Sequence, residues 1–347
     1  MEKPVSGKIQ KSKKFSRIIK ILVILTGFLV TITAAFFYLN SPPPEAGSNT
    51  VFIVDPGATV LDISNQLKEN NLIRSKMFFY LLVKLAGKER DMKAGEYSFE
   101  RGIKNTDILR TIVEGRVVTV KFTVPEGYNC REIAEKLSAL GIVDRERFIQ
   151  ACKDKEILDK YKIPFDSVEG FLFPDTYIVA KNLNEKKIVE VMVKNFFRNV
   201  KKIDLDMSDP EKFKKVIIIA SLVEKEAKLD EERALIAAVF YNRLEKGKRL
   251  ESCATIQYIL GKPKERLLIS DLRVKSPYNT YLNNGLPPGP ISNPGLKSLM
   301  AAANPANVDY LFFVSKRDGS HYFSKTYSEH LKAIKKYGSG KLTHHLS

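Results

Sequence analysis

The hydrophobic pattern of this chain begins with one long uninterrupted stretch near the amino terminus. Ile21 to Leu39 holds nineteen consecutive residues without a charge. Nineteen helical residues at about 1.5 Å each approach the hydrocarbon thickness of a bilayer. A cleaved signal peptide has a shorter apolar core, and the small residues at 33–35 are followed by bulky aromatic ones. The pattern therefore predicts a retained membrane-spanning helix over residues 18–39, after a basic tail over residues 1–17.

After a Pro-rich linker over residues 40–50, one pattern of apolar residues and a glycine occurs twice, at an offset of seventy residues. The matching pairs are Phe52 and Phe122, Val54 and Val124, Gly57 and Gly127, Ile63 and Ile133, Leu67 and Leu137, and Phe78 and Phe148. Each copy predicts a strand, a Gly turn, an amphipathic helix, and a second helix that begins near Ser75 or Asp144.

The first copy is followed by a further strand and helix. Lys93 to Phe99 predicts the strand, and Asn105 to Gly115 predicts a helix that stops at a glycine. The strand–helix–helix–strand order within residues 51–118 resembles the LysM fold, which binds glycan chains.

Residues 119–340 form the predicted catalytic domain, and the whole chain is predicted to be α+β. Helices are expected over Ile188–Val200, Pro210–Lys228 and Asp230–Lys246, the last with Asp230 as its N-cap. After Leu250 the chain is rich in Pro, Gly, Asn, Ser and Tyr, which suits either a groove wall or a structural loop. A strand at Asp309–Val314 and its hairpin partner at His321–Phe323 come last.

Two acids interrupt the apolar helix that runs from Val216. Glu224 follows Ile217, Ala220 and Ser221 at helical spacing, and Glu226 follows Ile219, Leu222 and Val223 in the same way. A carboxyl group against apolar surface has a raised pKa, as a general acid at neutral pH requires. The alternative is a boundary Glu paired with a Lys or Arg. Periodicity does not choose between the two acids.

The net charge is +17, and residues 1–20 carry seven basic residues against one acidic residue. Basic flanks stay on the cytoplasmic side, so the chain from about Asn40 onward is predicted to lie outside the cytoplasmic membrane. That placement excludes nucleic acid as a partner and favours an anionic envelope or lipid surface, with a plain solvated surface as the alternative.

Metal and cofactor chemistry is not indicated. Cys130, Cys152 and Cys253 fit either one disulfide plus a free thiol or three buried thiols. The four histidines are scattered, and no CxxC or HExxH spacing is present. We expect neither a metal nor a cofactor.

Six further motifs carry a resemblance. They are Glu169-Gly-Phe-Leu-Phe-Pro-Asp-Thr-Tyr177, Ala220-Ser-Leu-Val-Glu-Lys-Glu226, Val239-Phe-Tyr-Asn-Arg-Leu244, Tyr278-Asn-Thr-Tyr281, Gly285-Leu-Pro-Pro-Gly289 and Ile291-Ser-Asn-Pro-Gly295. In order and spacing they resemble the endolytic murein transglycosylase (YceG-like) family, from about Val51 to His330. The resemblance implies a membrane enzyme that cuts nascent peptidoglycan strands between N-acetylmuramic acid and N-acetylglucosamine, leaving 1,6-anhydro-muramyl ends.

The same resemblance assigns the catalytic role to Glu224, the first acid of its motif. Peptidoglycan glycan strands, the cytoplasmic membrane and cell-wall synthases are the implied partners. The chain departs from some relatives at Ser252–Thr255. Those relatives carry an acid or a Pro near the positions of Cys253 and Ala254, and we interpret the departure as a change in the groove wall.

Neutral and aromatic side chains are predicted to hold the sugars, with ordinary packing as the alternative for each. The predicted substrate-binding residues are Glu226, Thr255, Tyr258, Asn279, Tyr281, Asn293 and Asp175; His321 is a weaker candidate. Two other functions stay open: a glycan-binding scaffold without turnover, and a hydrolase in which Asp175 or Glu169 is the base beside Glu224.

Overall fold

The computed structural model describes residues 7–44, 50–100, 102–203, 205, 207–262 and 264–337, with side chains from residue 15 onward. Lys3, most of the predicted linker after Pro44, and His344 and His345 of the polar tail lie outside the described residues, as do the side chains of Lys8, Lys11, Lys13 and Lys14. The chain divides into two compact units, residues 1–119 with 180–182, and residues 120–179 with 183–347.

The first unit begins with the long apolar helix. Helix α1 spans Gly7–Asn40, and its segment Phe15–Asn40 contains a stretch of 18 residues with a mean hydropathy of 2.3, none of which is buried. It is long and apolar enough to cross a membrane. At its end the Asn40 side chain accepts a hydrogen bond from the Thr106 N–H at 3.0 Å, so the helix stops against the rest of this unit.

The remaining elements of the first unit build a small α+β module. They are β1 Thr50–Val54, α2 Val60–Glu69, α3 Lys76–Leu85, β2 Gly95–Phe99 and α4 Asn105–Glu114. Strands β1 and β2 pair antiparallel, with Phe52 opposite Tyr97. The predicted strand–helix–helix–strand order is therefore present. Gly115 ends α4 in the left-handed conformation, as its sequence signal predicted.

The second unit holds the other fifteen regular elements of the described chain. They are β3 Thr119–Thr123, α5 Cys130–Ala139, α6 Arg145–Ala151, α7 Lys155–Tyr161, β4 Thr176–Ala180, α8 Glu185–Val200, α9 Pro210–Glu226, α10 Arg233–Glu245, α11 Cys253–Leu260, α12 Leu296–Ala303, β5 Phe312–Ser315, β6 His321–Ser324 and α13 Tyr327–Tyr337, with two short 3₁₀ turns at Asp230–Glu232 and Asp271–Arg273. Strands β3 and β4 form one two-stranded sheet, and β5 and β6 form another.

Helix α9 runs through the core of the second unit. Asp209 caps its start, Pro210 follows at the first helical position, and every residue from Val216 to Val223 is buried. Helices α10 and α12 both pack against it. The carboxyl end of α9 and the amino ends of α10 and α12 therefore come together in one place.

Two local predictions need correction. The Asp230–Lys246 helix does not begin at Asp230 as an N-cap; Asp230–Glu232 is a 3₁₀ turn, and α10 starts at Arg233. The Asp230 carboxylate pairs with Arg233 and Lys297 instead of capping a backbone N–H. In the duplicated pattern the buried partner of Phe148 is Phe79, not Phe78, because the second helix begins one residue later in the first copy.

Candidate active site

Glu224 lies in the last turn of α9, where the apolar run of that helix ends. Its side chain is 5% exposed. One carboxylate oxygen accepts a hydrogen bond from the backbone N–H of Gly295 at 2.9 Å, and the other faces the guanidinium of Arg233 at 3.3 Å. Since Gly295 immediately precedes α12, the carboxylate also lies at the positive end of that helix.

Arg233 connects this carboxylate to a wider set of charges. It donates to Asp230 at 3.0 Å and to the hydroxyl of Ser298, and its side chain is 9% exposed. Lys297 and then Arg233 lower the pKa of the Asp230 carboxyl. The sequence had left open a Glu224 paired with an arginine, and the structure shows that pairing. The surroundings of Glu224 are therefore not simply apolar.

A second carboxyl group, that of Glu126, lies on the other side of Gly295. A Cβ atom built on Gly295 would be 1.9 Å from Oε1 of Glu126, so a larger residue there would displace the flexible carboxyl end of Glu126. The pKa of Glu126 is raised, mainly by burial of its carboxyl end and next by the charge of Glu224. The sequence analysis missed Glu126. The duplicated pattern held one signal for it. Glu126 stands directly before the turn glycine of the second copy, where the first copy has Pro56.

Glu226 points away from Glu224, as an offset of two residues on a helix predicts. It accepts a hydrogen bond from the Ser252 hydroxyl at 2.6 Å. It lines a small cavity of about 60 Å³ together with Arg243 and Glu251, which form an ion pair. The two acids of the motif therefore face different surroundings.

Asn293 ties together the loops that surround Glu224. Its side chain donates to the Tyr128 carbonyl at 2.8 Å and to Glu169 at 3.1 Å, and its side-chain oxygen accepts from the Leu172 N–H at 2.8 Å. The residue is fully buried. Both ends of its amide are bound within the protein, and its predicted contact with substrate stays a prediction.

Glu169, the predicted alternative base, is buried at the start of α5. Both of its oxygens face the Cys130 N–H, at 3.1 and 3.2 Å, and Tyr258 and Asn293 donate to it as well. Burial raises the pKa of Glu169 to about 7, against the lowering effect of these hydrogen bonds. Both of its oxygens are bonded within the protein, and its role as an alternative base stays a prediction.

Thr255 and Asn279, two further predicted substrate-binding residues, bond within the protein, and their contact with substrate stays a prediction. Thr255 is fully buried and bonds to the Ser252 carbonyl at 2.8 Å. Asn279 is fully buried and donates to the carbonyls of Leu272 and Val274 at 2.9 and 2.8 Å. In this Pro- and Gly-rich segment the polar side chains satisfy backbone groups that regular structure would otherwise pair.

The aromatic candidates differ in exposure. Tyr281 is 7% exposed and its hydroxyl lies 3.0 Å from the Cys253 sulfur, which leaves it little surface for a sugar. Tyr258 is half-buried; it packs against Tyr278 and lies under the Arg131 guanidinium. It also lines a cavity of about 210 Å³ whose wall includes Lys225, the neighbour of Glu224.

Asp175 and His321 lie in other parts of the second unit. Asp175 accepts from Asn195 at 2.9 Å and lines a separate cavity of about 820 Å³ on α8. His321 is buried and its ring pairs with Glu232 at 2.7 Å, which makes it a satisfied strand histidine. All three cysteines are unpaired thiols, and the described residues contain no group of three or more His, Cys, Asp or Glu placed to hold a metal ion.

Comparison with known proteins agrees with the resemblance carried by the motifs. The YceG-like family matches residues 52–336. An endolytic murein transglycosylase of Bacillus subtilis is 35% identical over 331 residues, covering 89% of this chain and 92% of that protein. One from Streptococcus pneumoniae is 27% identical, covering 91% of this chain and 64% of that protein.

A solved structure is similar as well. The crystal structure of a yceG-like protein from Listeria monocytogenes has a TM-score of 0.57 and 33% identity, and the match covers 82% of this chain and 99% of that one. With a family match from the first module to α13 and relatives above 30% identity along most of their length, this chain belongs to the YceG-like family.

Proposed function

We propose that this chain is a membrane-anchored, endolytic lytic transglycosylase of peptidoglycan, with Glu224 as its catalytic acid and then base. The observation that carries the proposal is the position of Glu224, whose carboxyl group is enclosed where three helix ends meet and is held by Arg233 and the Gly295 N–H. The name of the relatives from B. subtilis and S. pneumoniae, endolytic murein transglycosylase, supports the substrate class.

The reaction requires one carboxyl group and no water. Glu224 in its protonated form gives its proton to the glycosidic oxygen as the bond to C1 of the muramyl residue breaks. The 6-hydroxyl oxygen of the same muramyl residue bonds to C1, and its proton passes to the Glu224 carboxylate, which restores the enzyme. The nucleophile is tethered to the sugar it attacks, so its approach costs little entropy. The products are a 1,6-anhydro-muramyl end and a free N-acetylglucosamine end.

The Gly295 N–H and Arg233 fix the orientation of the carboxylate through the proton transfers. Each of the two contacts binds a different oxygen, so the group cannot rotate freely. The cavity beside Lys225 is lined by Asn129, Gln257 and Tyr258, neutral polar and aromatic groups that suit a sugar. We propose Tyr258 as the residue that contacts the glycan there.

We also propose that α1 anchors the protein in the cytoplasmic membrane, with its basic amino terminus inside and the catalytic residues outside. The hydropathy of Phe15–Asn40 and the basic residues that precede it support this orientation. The strand–helix–helix–strand module of the first unit would then bind glycan in the manner of a LysM fold, beside the cell-wall synthases that make the strands. Protease added to intact cells of which only the outer barrier is permeabilised should digest the large domain; a protected domain would overturn this topology.

Hydrolysis by a muramidase is the second candidate, and the position of Glu126 is the observation that favours it. A second carboxyl group near an acid is the usual arrangement of a glycosidase, in which it activates a water molecule. A glycan-binding scaffold without turnover would need neither acid.

Product mass separates these functions. Full-length protein in detergent is incubated with uncrosslinked glycan strands, and the new reducing-end sugars are analysed by mass spectrometry. Transglycosylation leaves anhydro-muramyl ends, which weigh one water less than the ends that hydrolysis leaves. Glu224→Gln should form neither product. Hydrated ends from the wild type would establish the muramidase, and uncut strands would leave only the scaffold.

A further inference from the structure

We propose that one exposed face of α3 rests in the lipid surface at which α1 leaves the bilayer, so that the first unit contacts the membrane by a helix as well as by its anchor. This face consists of Met77, Leu81 and Leu85, which we call the α3 stripe. The inference goes beyond the proposed catalytic function and rests only on the proposed anchoring by α1.

The α3 stripe follows one side of a helix of ten residues. Its three side chains are four residues apart, which places them in one row, and they are 58%, 49% and 88% exposed. Phe79 and Val83, on the other side of the helix, are fully buried in the core of the first unit. The core therefore covers one face of α3 and leaves a second apolar face outside it. A contiguous apolar row on the surface marks a contact with a protein or a membrane.

The second copy of the duplicated pattern shows that the fold does not require this apolar face. Helix α6 is the counterpart of α3, and Asp144 caps it as Ser75 caps α3. At the same distances from the cap, where the first copy has the α3 stripe, the second copy has Glu146, Gln150 and Asp154. The apolar row thus belongs to the copy that directly follows α1 in the chain.

Helix α3 begins against the end of α1. The ring of Phe78 contacts the ring of Phe36, with centroids 5.6 Å apart. Just before α3, the Arg74 guanidinium lies over the ring of Tyr38 at 4.5 Å, and its Nε donates to the Ser41 hydroxyl at 3.2 Å. The start of α3 is therefore fixed to the last turns of α1 by side-chain contacts within one unit.

These contacts place the start of α3 at the depth of the lipid headgroups. Lys20 is the last charged residue before the apolar run, and about 30 Å of helix, the thickness of the hydrocarbon core, separates it from Asn40. Phe36 lies four residues before Asn40, about 6 Å inside that border. Because Phe78 contacts Phe36, the adjacent Met77 begins the stripe at the level where an interfacial helix buries its apolar face.

The residues beside the stripe suit a bilayer that contains anionic lipid. Lys76, Tyr80 and Lys84 form the neighbouring row of α3, and the Lys84 ammonium lies 5.4 Å from the centre of the Tyr80 ring. Lysine side chains reach lipid phosphates from such a position, and tyrosine is enriched at the border between membrane and water. Lys84 is also 3.9 Å from Glu89, and both side chains of this pair are exposed, so it binds weakly and leaves the lysine available to a phosphate.

The test uses full-length protein reconstituted into vesicles of phosphatidylethanolamine and phosphatidylglycerol. Cys130 and Cys152 are buried, and Cys253→Ser removes the third natural thiol. In this background Leu81→Cys carries an environment-sensitive fluorophore, and lipids with a spin label at the top of the acyl chain quench fluorophores at that depth. We expect emission at shorter wavelength and a loss of about half of the intensity or more to the spin-labelled lipid.

The matched control is Gln150→Cys, which carries the same fluorophore at the equivalent exposed position of the second copy and should lose less than about a tenth of its intensity. Met77→Glu combined with Leu85→Asp gives the stripe the polar residues of the second copy. Quenching at Leu81→Cys should then fall by about threefold or more. Since all three positions are exposed, circular dichroism should show an unchanged fold.

The inference is overturned if the fluorophore on Leu81→Cys is quenched no more than the one on Gln150→Cys. Emission at shorter wavelength without quenching overturns it too, because a second copy or another protein then covers the stripe in place of lipid. So does quenching that persists in Met77→Glu with Leu85→Asp, since α1 alone would then set the depth.

A label in the middle of α1 separates this inference from the anchoring on which it rests. The fluorophore on Phe28→Cys should be quenched by lipid with a spin label at the end of the acyl chain. If it is quenched, the anchoring stands whatever the result for α3. If it is not, the proposed anchoring fails and this inference fails with it, while product mass still tests the proposed reaction.

Discussion

The two copies of the strand–turn–helix pattern have nearly the same local structure but face different surroundings. In each, a strand ends in a turn whose glycine has a positive φ, +85° at Gly57 and +76° at Gly127. In each, a capping box then starts the helix, built by Thr59 in the first copy and by Asn129 in the second.

The difference lies at the turn. A Cβ atom on Gly57 would meet no described atom within 4 Å, whereas one on Gly127 would contact Glu224 and Lys225. The residue before the glycine is Pro56 in the first copy and Glu126 in the second. The same local frame is therefore an open turn in one unit and one wall of the candidate active site in the other. The strand–turn–helix pattern thus supplies a rigid backbone, and the side chains that pack against its turn supply the reactive groups.

The largest expected effect comes from removing the acid that the second turn faces. Glu224→Gln keeps the shape and still accepts the Gly295 N–H, but it cannot donate and recover a proton. We expect cleavage of glycan strands to fall by about 10⁴-fold or more, at the top of the range for general acid–base catalysis. Single-turnover assays on labelled strands measure the loss.

The matched control is Glu226→Gln, which changes an acid two residues away that bonds to Ser252 on another face of α9. It should keep most of the activity. An inactive Glu226→Gln beside an active Glu224→Gln would reverse the assignment of the two acids. Circular dichroism should show both variants folded.

The next largest expected effect is on stability and comes from Glu169. Its carboxyl group accepts a hydrogen bond from the first N–H of α5 in the second copy. Its pKa of about 7 lies above the ordinary 4.5, so the folded state binds this proton more tightly than the unfolded state does. The resulting stability is complete below about pH 4.5 and is lost as pH rises through 7. Relative to Glu169→Gln, the free energy of unfolding of the wild type should fall by up to about 3 kcal/mol over that interval.

Denaturant unfolding at a series of pH values checks this difference. Glu135→Gln, an exposed acid on α5, serves as the control and should follow the wild type at each pH. Parallel curves for the wild type and Glu169→Gln would mean that Glu169 titrates equally in the folded and unfolded chain.

Substitution of either turn glycine should lower stability by a smaller amount, and by the same amount in the two copies. Gly57→Ala and Gly127→Ala each force an alanine into the left-handed region, at a cost of about 1 kcal/mol. Neither new Cβ atom meets an atom closer than 3.5 Å, so no clash adds to this strain. Thermal unfolding of the unit that contains each glycine gives the comparison. A much larger loss at Gly127 would show that the second turn is more tightly enclosed than its geometry indicates.

The smallest effect is expected from Pro56→Glu, which gives the first copy the residue of the second. Pro56 is exposed and the adjoining Gly57 is open, so the added carboxyl group faces solvent. Stability should change by less than about 0.5 kcal/mol, and the pH profile of cleavage should not move. A shift in that profile would mean that the first turn also contributes to the reaction.

The sequence by itself determined most of the local structure. The uncharged run after Lys20 predicted α1, the glycine at 115 predicted the end of α4, and the offset of seventy residues predicted two similar frames. These signals work because backbone conformation and burial depend mainly on residues that are neighbours along the chain. The six motifs predicted the family in another way, by their similarity to known sequences and not by a physical argument about the chain.

Only the tertiary structure decided what surrounds Glu224. Glu126, Arg233 and Gly295 come from a turn and two helix ends that are far apart in the sequence, and they meet because α10 and α12 pack on α9. Tertiary packing also placed Thr255, Asn279 and Asn293 inside, where their polar groups satisfy the loop backbone. A polar residue in an irregular segment can equally face a ligand or its own backbone. Its type and spacing do not distinguish the two, because the choice depends on which distant elements pack around it.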